Sequence, residues 1–93
     1  SFISLTLVME ALANATETGG DLVLMVKPQF EVGKHRIGRG GVVYEESARR
    51  EAVEKVQASA ISHGLRVMGM EPSPLPGQDG NVEYFLWCRK ENK

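Results

Sequence analysis

The fold is decided by the stretch Asp21-Leu22-Val23-Leu24-Met25-Val26-Lys27-Pro28. All residues from Leu22 to Val26 are apolar, which is typical of a strand that is covered on both faces of a sheet. Pro28 has no N–H to donate to a neighbouring strand, so the strand must end before it. The stretch therefore predicts a buried strand with Lys27 at its carboxyl end.

A helix is predicted on each side of this strand. Ser4 caps the first helix, which runs to about Glu17 and is stopped by Gly19-Gly20. Its apolar face is formed by Leu5, Val8, Leu12 and Ala15, at helical spacing. The second helix spans about Glu46 to His63. Its apolar stripe is formed by Ala48, Ala52, Val53, Val56 and Ala60.

Two further strands are predicted, over Leu65 to Met70 and over Val82 to Cys88. The first two strands are joined through a helix, so we expect them to pair in parallel by a crossover. The loop before the last strand is too short for a crossover helix, which predicts an antiparallel strand. The sequence thus predicts an α/β fold with a mixed three-stranded sheet and helices packed on it.

Composition favours a single cytoplasmic domain. The chain has 93 residues, 42% of them hydrophobic, and a net charge of −1, so nothing indicates a general affinity for nucleic acid or anionic membranes. The single cysteine, Cys88, fits a reducing compartment. No apolar run approaches the ~20 residues of a membrane helix. His35, His63 and Cys88 lack the spacing of metal ligands, so no metal site is predicted.

The beginning of the chain predicts a fragment. It opens at Ser1-Phe2-Ile3 without methionine, and its first helix has no strand before it, although α/β folds normally alternate the two. We therefore expect residues 1–93 to be the C-terminal portion of a larger domain.

Lys27 and Glu83 are the candidate catalytic residues. Ligands of open α/β sheets bind at the carboxyl ends of strands, where Lys27 lies, and a partly desolvated lysine is a good general base. Glu83 shares a strand face with Phe85 and Trp87, so its carboxylate needs a partner, and an antiparallel last strand would bring it within reach of Lys27. The alternatives are a lysine that extends to solvent and an edge-strand charge that prevents aggregation.

A glycine-rich loop over residues 31–44 is the candidate RNA-binding segment. It carries Lys34, Arg36 and Arg39 beside several glycines, and mobile cations of this kind contact RNA phosphates. A nucleotide phosphate loop is not indicated, because Arg39-Gly40 stands where such a loop has Lys-[Ser/Thr]. The alternative is an ordinary solvated loop.

Five motifs stand in order along the chain. They are Ser1-Phe2-Ile3-Ser4-Leu5, Val26-Lys27-Pro28-Gln29-Phe30-Glu31-Val32-Gly33, Gly38-Arg39-Gly40-Gly41-Val42-Val43, Ser73-Pro74-Leu75-Pro76-Gly77 and Gly80-Asn81-Val82-Glu83-Tyr84-Phe85-Leu86-Trp87. Taken together, these motifs resemble the C-terminal part of the TlyA family, haemolysin A-like proteins with an FtsJ-type ribosomal RNA methyltransferase domain. The resemblance covers nearly the whole chain.

The resemblance implies the C-terminal half of a Rossmann-like S-adenosylmethionine-dependent methyltransferase that modifies ribose 2′-hydroxyls of cytidines in ribosomal RNA or ribosomal subunits. Of the family's Lys-Asp-Lys-Glu tetrad, the second lysine corresponds to Lys27 and the glutamate to Glu83. The other two members would lie upstream of Ser1, together with the family's RNA-binding domain and cofactor loop. Only Ser1 and Phe2 would border the cofactor, so we expect weak S-adenosylmethionine binding, or none, by these residues alone.

Two other hypotheses stay open, a non-catalytic RNA-binding module that uses the Lys34–Arg39 segment and a haemolysin, which only the family's name suggests. A further expectation concerns assembly. If strands are missing upstream, the first strand exposes a backbone edge, which predicts self-association by edge pairing or domain swapping.

Overall fold

Three strands form one sheet in the computed structural model, which describes residues 3–91 except for the side chain of Gln78. They are β1 (Asp21–Val26), β2 (Leu65–Pro72) and β3 (Tyr84–Lys90). The order across the sheet is β1-β3-β2, and β3 is antiparallel to both neighbours. The α/β class and the antiparallel last strand are therefore confirmed.

The predicted parallel pairing of the first two strands is wrong. β1 and β2 point the same way because each is antiparallel to β3, but β3 separates them. Both ladders are antiparallel, so the sheet is not mixed. The crossover through the second helix leaves room for one strand, and β3 fills it with hydrogen bonds along both of its edges.

The first predicted helix is shorter than its apolar pattern suggested. Ser4 does act as a cap, accepting a 3.1 Å hydrogen bond from the Thr6 N–H, but it caps a 3₁₀ turn over Leu5–Leu7. Val8, at φ −114° and ψ 3°, interrupts the helical path before helix α1 (Met9–Asn14) begins. The period of apolar residues continued across this break, which is why the sequence predicted one helix.

The second helix matches its prediction. Helix α2 spans Glu46–Ser62, and Gly64 follows at φ 82°, a backbone conformation that glycine adopts without strain. All five residues of the predicted apolar stripe are buried.

Among the described residues, the core lies on one face of the sheet. Met9 and Ala13 of α1 and the apolar stripe of α2 pack there against buried strand residues, which are Leu24, Val26, Leu65, Leu86 and Cys88. On the other face, which we call the open face, Val23 is 66% and Trp87 40% exposed. The expectation that β1 is covered on both faces is therefore wrong for the part of the chain that the structure describes.

Candidate active site

Lys27 occupies the end of β1, as predicted. The last residue pair of the β1–β3 ladder is Val26 with Tyr84, and a 3₁₀ turn over Pro28–Phe30 follows Lys27 directly. The Phe30 N–H donates to the Lys27 carbonyl at 2.8 Å. The Lys27 ammonium nitrogen lies over the Phe30 ring, 5.8 Å from its centroid. The lysine is half-buried at the rim of the sheet.

Glu83 is buried immediately before β3, with 5% of its surface exposed. The Gln29 side-chain nitrogen donates to its Oε2 at 3.3 Å, and the Ser73 N–H donates to its backbone carbonyl at 2.7 Å. A Cβ placed on Gly77 would overlap the Glu83 carboxylate, so glycine is required there for the loop to pass so closely. Since β3 is the central strand, Glu83 is not an edge-strand charge.

Lys27 and Glu83 face each other across the end of the ladder. They are the next residues beyond the Val26–Tyr84 pair, so the predicted juxtaposition of the two strand ends is present. They form no ion pair within 4.0 Å. Glu83 instead contacts Gln29, and Lys27 lies over Phe30. The site brings together an amine, a carboxamide and a buried carboxylate.

Asn81 joins two loops beside this site. Its Oδ1 accepts the Val43 N–H at 2.9 Å, and its Nδ2 donates to the Gly41 carbonyl at 2.9 Å. The Gly77 N–H also donates to the Asn81 carbonyl at 2.8 Å. Asn81 therefore ties the glycine-rich loop to the segment that carries Glu83. Sequence reasoning missed this role, for which the only signal was a polar residue directly before an apolar strand.

Glu31 is a second residue that the sequence did not single out. Its carboxylate accepts hydrogen bonds from the Ser4 hydroxyl at 2.5 Å and the Leu5 N–H at 2.8 Å. The Lys55 ammonium lies 3.5 Å from the same carboxylate and donates to the Glu31 carbonyl at 2.9 Å. Glu31 thus links the turn that follows Lys27 to the beginning of the chain and to α2.

The three predicted RNA-binding cations are not equivalent. Lys34 and Arg39 are exposed. Arg36 is bound to acidic groups, with Nε 3.3 Å from Glu45 and Nη1 2.9 Å from Glu51. The hydrogen bond with Glu51 raises the pKa of the Arg36 guanidinium above its ordinary value. Arg36 thus connects the loop to α2, which leaves Lys34 and Arg39 as the better candidates for phosphate contacts.

The predicted cofactor residues, Ser1 and Phe2, lie outside the described residues. Between residues 3 and 91, no group of three or more His, Cys, Asp or Glu side chains is placed to hold a metal ion. No helix in the same part of the chain is long and apolar enough to cross a membrane.

A sequence model of FtsJ-like methyltransferases matches residues 1–90. The chain belongs to the FtsJ-like methyltransferase family.

A relative of known name supports the resemblance to the TlyA family. The chain is 48% identical over 91 residues to 16S/23S rRNA (cytidine-2′-O)-methyltransferase TlyA of Mycobacterium tuberculosis. The matched region covers 98% of this chain and 34% of that protein. The chain thus spans about a third of the length of this FtsJ-like relative. The predicted resemblance is confirmed.

Solved structures of relatives share the fold. A protein from Streptococcus thermophilus has a TM-score of 0.93 and 42% identity, over 100% of this chain and 34% of its own. One from Lactococcus lactis has a TM-score of 0.94 and 35% identity, over 100% and 44%. Both carry the provisional name hemolysin. The FtsJ-like chain therefore keeps the architecture of its longer relatives.

Proposed function

We propose that this chain is the C-terminal portion, residues 1–93, of the methyltransferase domain of a cytoplasmic ribosomal RNA (cytidine) 2′-O-methyltransferase. The observation that carries the proposal is the placement of Lys27 and buried Glu83 opposite each other at the end of the β1–β3 ladder, in a chain of the FtsJ-like family. Because the chain spans about a third of the length of the relative from Mycobacterium tuberculosis, the proposed activity and substrate are those of the whole protein.

The proposed chemistry needs a base at the ribose. A 2′-hydroxyl is a poor nucleophile until its proton is removed as it attacks the methyl group. Lys27, neutral at that moment, accepts the proton at Nζ while the ribose oxygen forms its new bond to carbon. Glu83, held by Gln29 and shielded from water, orients the lysine. S-adenosylmethionine, when bound, would supply the methyl group, and its sulfur would keep the electron pair of the broken sulfur–carbon bond.

The residues that the structure describes fit the methyl-accepting side of this reaction better than the cofactor side. The described end of the sheet presents Lys27, Gln29 and Glu83, which suit a hydroxyl group and its proton. Only Ser1 and Phe2 are assigned to the cofactor. We therefore predict that residues 1–93 alone bind S-adenosylmethionine weakly or not at all, because in-line transfer depends on positioning by groups from both halves of the site. Calorimetric titration tests this, and micromolar binding would contradict it.

Lys34 and Arg39 support RNA as the substrate class. Both are exposed on the loop that Asn81 ties to the Glu83 segment, so phosphate contacts there would hold a strand beside the site. The relative from Mycobacterium tuberculosis is named for methylation of 16S and 23S rRNA, which favours ribosomal RNA or ribosomal subunits as partners.

The decisive test is methyl transfer from labelled S-adenosylmethionine to ribosomal RNA and ribosomal subunits by the full-length gene product. We expect Lys27→Ala to lower the rate by roughly a hundredfold or more, because the proposed base is lost. Lys27→Arg should be equally impaired, since a guanidinium stays charged. Arg50→Ala, at an exposed cation on α2, is the matched control and should keep the rate. An active Lys27→Ala protein would contradict the catalytic role.

The exposed Lys34 and Arg39 side chains also favour a second candidate, a non-catalytic RNA-binding module. Such a module should bind RNA with an affinity that falls steeply as salt rises, because binding rests on phosphate contacts, and it should transfer no methyl group to any ribosomal RNA. Binding and transfer assays on the same protein separate the two functions.

A further inference from the structure

The carboxamide of Gln29 has one bonded end and one unbonded end. Its Nε2 donates to Glu83 Oε2 at 3.3 Å. Its Oε1 is shielded from solvent and has no hydrogen-bond partner among the described side chains and backbone. The orientation of the amide follows from its neighbour, because turning the amide over would place its oxygen against the Glu83 carboxylate. A buried amide oxygen without a donor is costly, so a donor is expected there.

Lys27 is the nearest side-chain donor along the chain. It lies two residues before Gln29, and the hydrogen bond from the Phe30 N–H to the Lys27 carbonyl folds the connecting segment into a tight turn. Its ammonium nitrogen is 5.8 Å from the Phe30 ring centroid, close to the ~6 Å limit of a cation–π contact. That contact is weak and uses little of the hydrogen-bonding capacity of an ammonium group.

We propose that Gln29 is a positioning residue that bridges the catalytic pair. In the catalytically active conformation, the Lys27 nitrogen donates to Gln29 Oε1, while Gln29 Nε2 donates to Glu83. This inference rests on the proposed function, and it accounts for the missing direct contact between Lys27 and Glu83. A neutral amide between the two groups orients the amine without the full Coulomb stabilisation that a directly paired carboxylate gives the ammonium form.

The kinetic test uses two substitutions in the full-length gene product. Gln29→Met keeps the length of the side chain and removes both hydrogen bonds. Gln29→Glu keeps an oxygen for Lys27 but sets a second carboxylate against Glu83. We expect kcat to fall about ten- to hundredfold in Gln29→Met and further in Gln29→Glu, with KM for RNA and S-adenosylmethionine within about twofold of wild type.

The matched control is Gln57→Met, at a half-buried glutamine on α2, which should leave kcat unchanged. A residue that only fills space would tolerate methionine, so a Gln29→Met protein with wild-type kcat would overturn the proposal. A rise in KM with unchanged kcat would also overturn it, because that pattern reports lost binding and not lost positioning.

A second measurement does not depend on activity. The side-chain amide resonances of Gln29, in ¹⁵N-glutamine-labelled full-length protein, are assigned by their loss in Gln29→Met. We expect them to move in both Glu83→Gln and Lys27→Met, and to stay in place in Lys90→Met, at the far end of β3. A Lys27→Met protein with unmoved Gln29 resonances would show that no bridge exists. If the wild-type full-length protein transfers no methyl group, the proposed function is wrong. The Gln29 resonances still show in that case whether the bridge forms.

Discussion

Glu31 shows how a single buried carboxylate organises the surroundings of the site. Only 7% of the residue is exposed, and its carboxylate contacts Ser4, Leu5 and Lys55. Carboxylates bonded to charged and backbone donors are among the stronger polar contacts in proteins. Because Glu31 ends the turn that begins after Lys27, these contacts also fix the backbone that carries the proposed base.

Glu31→Ala is expected to destabilise the protein by about 1–3 kcal/mol, because it leaves buried donors without an acceptor. The unfolding free energy from a urea titration measures this. Glu54→Ala, at an exposed glutamate of α2, should change that free energy by less than about 0.5 kcal/mol. Equal effects of the two substitutions would mean that the Glu31 contacts contribute nothing measurable.

Gly77→Ala should reproduce the loss of Glu83 without removing it. The new methyl group would overlap the Glu83 carboxylate, so the carboxylate or the loop must move. We expect methyl transfer by the full-length product to fall roughly tenfold or more, since small displacements of a positioned group cost large factors in rate. Gly69→Ala, where a Cβ would meet only the Trp87 ring at an ordinary contact distance of 3.8 Å, controls for the general effect of replacing a glycine. Wild-type activity in Gly77→Ala would contradict the importance of the Glu83 position.

Among the strands, the pairing of β1 with β3 begins at a charged pair. Asp21 opposes Arg89 in the register, and Arg89 Nε lies 2.7 Å from Asp21 Oδ1. The hydrogen bond from Arg89 holds the pKa of Asp21 below its ordinary value. A carboxyl group with a lowered pKa in the folded state stabilises that state above its ordinary pKa, and the stabilisation is lost as the pH falls through the lowered value.

Asp21→Asn should therefore lower the melting temperature slightly at neutral pH, where the charged pair is present, and make its decline in acid less steep. Melting temperatures of the wild type and the variant, followed from about pH 5 to pH 2, should converge at the acidic end. Both groups are exposed, so the effect is small and should shrink further in high salt. Parallel curves at every pH would exclude a contribution from this pair.

The strands and α2 could be predicted from the sequence because the local signals agreed. The apolar run of β1 ends at a proline, and the stripe of α2 ends at a glycine, so propensity and pattern gave the same boundaries. The order of the strands across the sheet could not be predicted, because pairing depends on contacts between residues far apart in the chain. A crossover rule favoured adjacent parallel strands, and the insertion of β3 overrode it.

The site divides in the same way. Lys27 and Glu83 were proposed from their positions at strand ends and from a family resemblance. Gln29, Glu31 and Asn81 were missed because their roles arise from contacts across 54, 27 and 38 positions of the chain. A polar residue gives no sign in the sequence of which distant group it will bind.

In the part of the molecule that the structure describes, residues 3–91, one face of the sheet is covered and the other is exposed. The open face presents Val23, 66% exposed, and Trp87, 40% exposed, and β1 pairs with β3 along one edge only within residues 3–91. An apolar face next to an unpaired strand edge favours association with another chain.

We accordingly predict that residues 1–93, prepared alone, self-associate. Sedimentation velocity should show a rising average mass from low to high micromolar concentration, and Val23→Lys should reduce it by placing a charge on the edge strand. Ile61→Lys, at an exposed apolar residue of α2, is the control and should leave the association unchanged. A strictly monomeric wild type over this range would contradict the prediction.

The central position of β3 has a consequence for biosynthesis. Both neighbours, β1 and β2, are translated before it, so neither ladder of this sheet can form until residues 84–90 have emerged from the ribosome. Large proteins often fold progressively as they are made, but here Glu83 comes to lie opposite Lys27 only when the last strand arrives. A nascent chain that stalls before Glu83 would carry the proposed base without its carboxylate, so the proposed pair is assembled only after this last segment has been made.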